Sequence, residues 1–262
     1  MNLEKPLNKY IDHTLLNPNA THEEFEKFLD DAVEYQFTAV CVSPYMAAPV
    51  KSALRGEDIK VCTVVGFPHG TLPLELKLQE IRHFADRGID EVDFVFNRGD
   101  LHSERYDAVG HELESIDRAC KELGLISKCI VEACDLTDIE LRFMLKAIND
   151  YTDIDYIKTS TGFGSEGAKL IDVMNCKAEL YRDDTSGNSL SDLMYQTTIQ
   201  LKVLSTRHTP LKIKAAGGIH NLDTALKFIA AGADRLGMSS SSAVMREYRE
   251  QKAASAEGEG TP

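Results

Sequence analysis

Short apolar runs alternate with longer segments of helical period along this chain of 262 residues. Such alternation is typical of repeated βα units that build a parallel sheet. A single α/β barrel commonly reaches about 250 residues. The chain therefore predicts one (β/α)8 TIM barrel. Its eight candidate strands are residues 10–14, 39–43, 61–65, 91–96, 127–132, 155–159, 211–215 and 234–238.

Capping signals mark the intervening helices. Thr21 and Glu24 have the spacing of a capping box, and Gly88 and Gly232 stand where a left-handed residue ends a helix before the next strand. The alternative is a doubly wound sheet, but no strand-turn-helix carries the GxGxxG pattern of its nucleotide-binding form. Helices are predicted at residues 22–35, 74–87, 106–123, 138–150 and 222–231.

Charge and hydropathy bear on partners and location. The formal charge of -13, from 42 acidic and 29 basic side chains, opposes generic binding to nucleic acid or an anionic membrane. Residues 1–10 lack the apolar core of a signal peptide, and no segment approaches the roughly 20 apolar residues of a membrane span. We expect a cytoplasmic protein with no nucleic-acid or membrane partner.

Six cysteines show neither a CxxC pair nor a zinc-type spacing with histidine. Cys41, Cys62 and Cys129 stand in apolar strands, where cysteine usually acts as a small buried side chain. Reduced thiols fit the cytoplasm. We expect neither a metal nor a cofactor.

Two lysines end predicted strands. Lys158 lies in the run 155–162, and Lys214 lies in the run 211–218, with glycines just beyond. The active site of such a barrel lies at the C-terminal ends of its strands. An amine buried there loses hydration, and the neutral form that burial favours is a nucleophile. The pair predicts Schiff-base chemistry on a carbonyl compound.

Carboxylates also occur within or at the ends of the strands. Asp12 is expected to order the site, whereas Asp93 fits either proton transfer or a structural counter-ion for the lysines. Lys128 and Glu132 are expected to pair within the fifth strand, more as structure than as catalysis.

A phosphate site is predicted beside the lysines. The loops after strands seven and eight usually bind phosphate in this fold. Gly217 and Gly218 would let the backbone approach an anion, and Ser239 and Ser240 would open a helix that offers amides and hydroxyls. Gly162 could add another amide. Alternatively, the serines are only a helix cap or a flexible loop.

Seven stretches together resemble the deoxyribose-phosphate aldolases, class I Schiff-base aldolases on a barrel. The resemblance implies reversible cleavage of 2-deoxy-D-ribose 5-phosphate to D-glyceraldehyde 3-phosphate and acetaldehyde, in deoxyribonucleotide catabolism. It also implies that Lys158 forms the Schiff base, that Lys214 keeps its amine reactive, and that Asp93 works with Lys214 and water in proton transfer. The stretches are residues 11–16, 39–44, 65–70, 91–95, 156–162, 214–218 and 237–240.

Two positions depart from the family pattern. His220 stands where an arginine is common, and Arg98 stands where an apolar residue is expected. Histidine lacks the bidentate fork that grips phosphate, unless Arg98 compensates rather than facing solvent. Two alternatives stay open: a related class I aldolase for another hydroxyaldehyde, phosphorylated or not, and a non-catalytic barrel that binds a sugar phosphate.

The connection from Lys158 to Lys214 spans 56 residues, against about 31 for an average βα unit of this fold. Its polar stretch at residues 181–189 predicts a loop between two outer helices and a subunit contact, with a homodimer as one possibility. We expect one domain over residues 1–250 and a disordered tail over residues 251–262, which are rich in Ala, Glu, Gly and Ser.

Overall fold

The computed structural model describes residues 3–180 and 210–258. Eight parallel strands close into a barrel in which each strand pairs with the next and β8 pairs with β1. The (β/α)8 prediction is confirmed, and the doubly wound alternative is wrong. The strands are β1 (Ile11–Leu15), β2 (Ala39–Val42), β3 (Lys60–Val65), β4 (Glu91–Val95), β5 (Ile126–Ile130), β6 (Tyr156–Lys158), β7 (Lys212–Ala216) and β8 (Arg235–Met238).

Helices follow the strands around the outside of the barrel. Over the described ranges they are α1 (His22–Tyr35), α2 (Pro44–Ala53), α3 (Leu74–Ala85), α4 (Arg98–His102), α5 (Tyr106–Glu122), α6 (Asp138–Tyr151), α7 (Leu170–Leu180), α8 (Leu222–Ala230) and α9 (Ser241–Gly258). α2 and α4 were not predicted, because each directly follows a strand end without a long amphipathic pattern. None of the helices within residues 3–180 and 210–258 is both long and apolar enough to cross a bilayer.

Local signals set the helix ends. The side chain of Thr21 accepts a hydrogen bond from the amide of Glu24, whose carboxylate accepts one from the amide of Thr21, so α1 begins at the predicted capping box. Gly88 has φ of 70° and Gly232 has φ of 108°, which confirms the left-handed residue at both helix exits. Predicted strand and helix bounds otherwise differ from the structure by no more than two residues.

The apolar core lies between the barrel and the helices. Side chains alternate along each strand, so one face of every strand packs outward on the helical layer. These outward residues are buried and belong to one apolar cluster. The arrangement leaves the opposite face of each strand for the barrel interior. Examples of the outward set are Val40, Val61, Val92, Phe94, Ile157, Ile213 and Leu236.

The last helix runs into the C-terminal tail. Residues 251–258 continue α9, and residues 259–262 of the predicted disordered tail lie outside the described residues. Buried Val244 and Met245 anchor the start of the helix, and the Ala-, Glu- and Gln-rich continuation extends it at low cost. α7 is described as far as Leu180, and the predicted loop, second outer helix and subunit contact lie outside the described residues.

Candidate active site

The middle of the barrel holds charged side chains instead of an apolar filling. Alternation along the strands turns these residues inward, and each is at most 4% exposed. Charges so deeply buried are tolerated only when they are paired. The three carboxylates are Asp12, Glu91 and Asp93, and the four cations are Lys128, Lys158, Lys214 and Arg235.

Asp93 is the hub of this network. Its Oδ2 accepts hydrogen bonds from the Nζ atoms of Lys158 and Lys214, each at 2.8 Å. Its Oδ1 accepts one from Lys128 Nζ at 2.7 Å and one from Cys62 Sγ at 3.1 Å. The two lysines predicted from the sequence therefore meet on one oxygen atom.

The charges of the hub follow from these contacts. Burial acts to raise the pKa of Asp93, but the neighbouring lysines Lys128, Lys158 and Lys214 outweigh it and hold the pKa well below its usual range. Burial acts to lower the pKa of Lys214, but the carboxylates of Asp12 and Asp93 raise it above the usual lysine value. Asp93 is thus a carboxylate and Lys214 an ammonium at neutral pH.

The remaining carboxylates anchor the network at its base. Arg235 binds Asp12 through Nη1 and lies 3.0 Å from Glu91 Oε1 through Nη2. Lys214 Nζ lies 2.6 Å from Asp12 Oδ2, and Lys128 Nζ lies 2.7 Å from Glu91 Oε2. Asp12 therefore forms ion pairs with both Lys214 and Arg235.

The network contains one more cation than carboxylate when all seven groups are ionised. Four cations face three carboxylates, and an uncompensated charge in such a buried place is costly. Lys214, Lys128 and Arg235 each contact two carboxylates, whereas Lys158 contacts only Asp93 among the described residues. Lys158 is therefore the least compensated of the four basic groups.

A cavity of about 380 Å³ lies above this network. That volume suits a small metabolite. Of the predicted site residues, five line the cavity: Lys158, Gly162, Gly217, Gly218 and Ser239. Asp12, Asp93 and Lys214 are buried outside its lining, and Ser240 borders it through its Oγ, 3.4 Å from Nδ1 of cavity-lining His220.

Backbone forms the part of the cavity lining that follows β7. Gly217 and Gly218 have φ of 82° and 76°, and a Cβ on neighbouring Gly167 would lie 2.5 Å from the Gly217 carbonyl. The carbonyl of Ser240 accepts the first bond of α9, from the amide of Val244. The first amides of α9 therefore have no partner within the helix and are available to an anion.

The two departures from the family pattern have different surroundings. His220 is exposed and lines the cavity. The side chain of Arg98 is only 17% exposed, with Nη1 3.7 Å from Glu132 Oε2 and Nε 3.4 Å from Asp135 Oδ2. Arg98 is therefore held by two carboxylates and does not line the cavity. Among the described residues that line the cavity, Lys158 is the only lysine or arginine.

The predicted pairing of Lys128 with Glu132 is wrong. Lys128 contacts Glu91 and Asp93, whereas Glu132 accepts hydrogen bonds from the amide and the hydroxyl of Thr161. Lys128 faces the barrel interior, but Glu132 lies beyond the end of β5 in a left-handed conformation, with φ of 52°. The strand prediction ran two residues too far and placed both on one face.

Sequence reasoning also missed Arg235 and the polar role of Cys62. Strand alternation is the signal that could have identified Arg235, because it places Arg235 on the same face of β8 as Gly237. In the structure, Gly237 packs on Lys214 inside the barrel. Cys41, Cys62 and Cys129 are all buried, as expected for small side chains. The hydrogen bond from Cys62 to Asp93 had no signal in the sequence, because it joins two strands.

Cys41, Cys62 and Asp93 are the described residues whose potential metal-ligand atoms cluster, within 4.8 Å of one another. Both oxygens of Asp93 already accept hydrogen bonds from lysine Nζ atoms, from Lys128 on one side and from Lys158 and Lys214 on the other. A metal cation would have to displace these side chains or face their positive charge. The donor set does not suit a metal ion.

Comparison with known proteins identifies the family. The model of the DeoC/LacD family aldolases matches residues 7–246. The chain is also 38% identical over 240 residues to the deoxyribose-phosphate aldolase of Streptococcus gordonii, covering 92% of this chain and 96% of that protein. Both matches span nearly the whole barrel.

Solved structures agree with this relationship. A putative deoxyribose-phosphate aldolase of Coccidioides immitis superposes with a TM-score of 0.79 at 28% identity, covering 95% of this chain and 88% of that one. The deoxyribose phosphate aldolase of Aeropyrum pernix, described as a unique tetramer, superposes with a TM-score of 0.72 at 27% identity, covering 93% and 91%. The barrel, its lysine-bearing interior and these matches together show that the chain belongs to the deoxyribose-phosphate aldolases of the DeoC/LacD aldolase family.

Proposed function

We propose that this chain reversibly cleaves 2-deoxy-D-ribose 5-phosphate to D-glyceraldehyde 3-phosphate and acetaldehyde through a Schiff base on Lys158. The observation that carries the proposal is the meeting of Lys158 and Lys214 on one oxygen of Asp93 beneath the cavity. The name of the Streptococcus gordonii relative supports the substrate. The iminium supplies the electron sink, so the reaction requires no metal.

Lys158 starts the reaction as a neutral amine. Its Nζ adds to the C1 aldehyde of the open-chain sugar, and the resulting carbinolamine loses water to form an iminium. A base takes the proton of the C3 hydroxyl, the C2–C3 bond breaks, and its electron pair moves into the iminium to form an enamine. C3 leaves as the aldehyde of glyceraldehyde 3-phosphate. Protonation of the enamine at C2 and hydrolysis release acetaldehyde and restore Lys158.

Lys214 and Asp93 support both halves of this cycle. The Lys214 ammonium, held by Asp12 and Asp93, disfavours a second ammonium on Lys158, which shares the same carboxylate oxygen. Asp93 is a weak base because the neighbouring lysines hold its pKa well below the usual range. We therefore assign it to a relay with Lys214 and a water molecule, which carries the proton from the C3 hydroxyl to the enamine.

The phosphate would occupy the end of the cavity opposite Lys158. Gly217 and Gly218 leave room for an anion, and Ser239 and Ser240 precede the unpaired amides of α9. Gly162 lies on the same lining and offers a further amide. These groups are neutral, so dipoles and hydrogen bonds carry this part of the recognition.

A second candidate is a related class I aldolase for a less charged hydroxyaldehyde. His220 favours it, because this exposed imidazole lines the cavity where the family commonly has arginine. A comparison of kcat/KM for deoxyribose and deoxyribose 5-phosphate separates the two. The phosphate ester should be preferred, and equal or higher efficiency with free deoxyribose would establish the alternative.

A non-catalytic sugar-phosphate-binding barrel is the remaining alternative. Binding alone gives no reason to bury Lys158 and Lys214 beside one carboxylate, at a considerable cost in desolvation. The direct test is incubation with acetaldehyde or deoxyribose 5-phosphate, reduction with borohydride, and mass spectrometry of peptides. We expect one reduced adduct on Lys158 and none in Lys158→Arg. An adduct on another lysine, or none in the unaltered protein, would refute the mechanism.

A further inference from the structure

His13 is a buried titratable residue that the proposed reaction does not use. It follows Asp12 on β1 but faces outward, between the barrel and the helices, and is 4% exposed. Its ring stacks on Phe28 of α1, with centroids 4.1 Å apart and planes 14° apart, and on Phe37 at 4.9 Å. A polar ring held this tightly in an apolar stack needs a reason.

The polar contact of His13 is made with the start of α9. Nδ1 of His13 lies 2.7 Å from the Oγ of Ser241, and the same hydroxyl donates to the carbonyl of Met238 at 2.9 Å. A hydroxyl has one hydrogen, and here it goes to Met238. Nδ1–H of His13 is therefore the donor, and the chain of bonds runs from β1 through Ser241 to the end of β8.

This chain of bonds encloses the residues that would bind phosphate. Ser239 and Ser240 lie between Met238 and Ser241, so both ends of the turn are joined by one hydroxyl that His13 holds. Without the imidazole, Ser241 could rotate away from Met238 and release the turn. Anion binding by backbone amides depends on their fixed direction, so the turn must be rigid before the ligand arrives.

The imidazole is suited to a fixed donor. Burial lowers the pKa of His13 to about 4, although the carboxylate of Asp31 acts to raise it. At neutral pH the ring therefore carries a single N–H, and the contact with Ser241 places it on Nδ1. The charge of the ring therefore stays constant near pH 7.

We propose that His13 is a positioning residue that, through Ser241, fixes the Ser239–Ser240 turn for recognition of the substrate phosphate. The proposal rests on the phosphate end of the proposed function and adds a residue that does not touch the substrate. The consequence is that phosphorylated and unphosphorylated substrates should respond differently to loss of the contact. Loss of the contact should weaken binding of phosphate esters while leaving the reaction of the unphosphorylated sugar unchanged.

The test measures KM and kcat for deoxyribose 5-phosphate and for deoxyribose in four variants. His13→Leu removes the donor and keeps an apolar side chain against Phe28, Ser241→Ala removes the acceptor, and the double variant removes both. His13→Asn restores an N–H near the position of Nδ1. We expect KM for the phosphate ester to rise about 10-fold in both single variants, as for loss of one hydrogen bond. The double variant should be no worse than either, and His13→Asn should recover most of the loss.

Ser242→Ala is the matched control. The Oγ of Ser242 is one residue further along α9 and bonds Asp31 Oδ2 at 2.7 Å, away from Met238. The KM of Ser242→Ala for the phosphate ester should change less than about twofold, because the contact of Ser242 with Asp31 is not one of the hydrogen bonds that close the turn. Equal loss for both sugars, or a double variant whose KM is the product of the two single effects, would overturn the proposal.

Direct binding keeps this test independent of catalysis. Calorimetric titration with inorganic phosphate should show the same ranking of variants, even if borohydride traps no adduct on Lys158 and the proposed reaction is wrong. Failure of the unaltered protein to bind inorganic phosphate or deoxyribose 5-phosphate would overturn the role of His13 itself. Circular dichroism and thermal melting establish that each variant is folded before its KM is compared.

Discussion

The two ends of one cavity are built by opposite means. Beneath Lys158, charged side chains contact one another at 2.6–3.0 Å and are almost wholly buried. The other end is lined by the backbone of Gly217 and Gly218 and by the hydroxyl group of Ser239. The imidazole of His220 also lines this end and is exposed. Covalent chemistry needs an amine in a defined charge state, which only particular side chains provide. Anion recognition can use amide dipoles, which depend on conformation more than on residue type.

The largest expected effect is at the lysine end. Lys158→Arg keeps a long basic side chain beside Asp93 but cannot form an imine, so kcat/KM for deoxyribose 5-phosphate should fall more than about 10⁴-fold. Steady-state assay of aldehyde release measures the change. Retained affinity for inorganic phosphate serves as the control, because the opposite end of the cavity is untouched. Activity within about tenfold of the unaltered protein would contradict the covalent mechanism.

Asp93→Asn should be nearly as damaging. The amide cannot take part in the proton relay, and kcat/KM should fall about 10²–10⁴-fold. Three lysines also lose their shared counter-ion, so the free energy of unfolding should fall by about 3–5 kcal/mol. Denaturant unfolding and assay of the same sample measure both. Cys62→Ala removes only an uncharged donor to Asp93 and should affect each far less.

A pH effect on stability is expected at the phosphate end. Burial lowers the pKa of His13 to about 4, against about 6.5 for histidine in the unfolded chain. The unfolded state therefore binds a proton first, and stability is lost as pH falls from about 6.5 to about 4. Above pH 6.5 the neutral imidazole contributes about 3 kcal/mol to the free energy of unfolding, and this contribution is lost by about pH 4.

Comparison with His13→Asn isolates this contribution from other titrating groups. The difference in the free energy of unfolding between the two proteins should change by about 3 kcal/mol between pH 7 and pH 4, with His13→Asn less sensitive to acid. Asp31, which faces the imidazole, is present in both proteins. A difference that stays constant with pH would show that His13 is not held neutral.

The smallest expected effect is at His220. His220→Arg should lower KM for deoxyribose 5-phosphate by about 10-fold, because arginine adds charge-assisted hydrogen bonds to an end of the cavity that otherwise relies on dipoles. KM for deoxyribose should not change, and His220→Gln is the neutral control. An unchanged KM for the phosphate ester in His220→Arg would show that the backbone amides already satisfy the anion. It would also remove the reason to favour a less charged substrate.

Much of the fold and the centre of the site could be predicted from the sequence. The eight runs became eight strands, because period-two alternation and glycine at the helix ends are local signals. Lys158, Lys214 and Asp93 stood out, because charged residues in apolar runs are rare without a function. The predicted pair of Lys128 and Glu132 failed because β5 ends at Ile130, and strand ends depend on contacts from neighbouring strands.

The sequence by itself determined that this chain is a barrel with lysines late in two neighbouring strands, since periodicity and residue chemistry are properties of short segments. Only the tertiary structure decided that Asp93 joins three lysines, that Arg98 binds Glu132 and Asp135, and that His13 reaches Ser241 across 228 residues. These contacts link strands and helices far apart in the chain. Closure of the barrel brings them together, and their distances depend on the packing of every element between them.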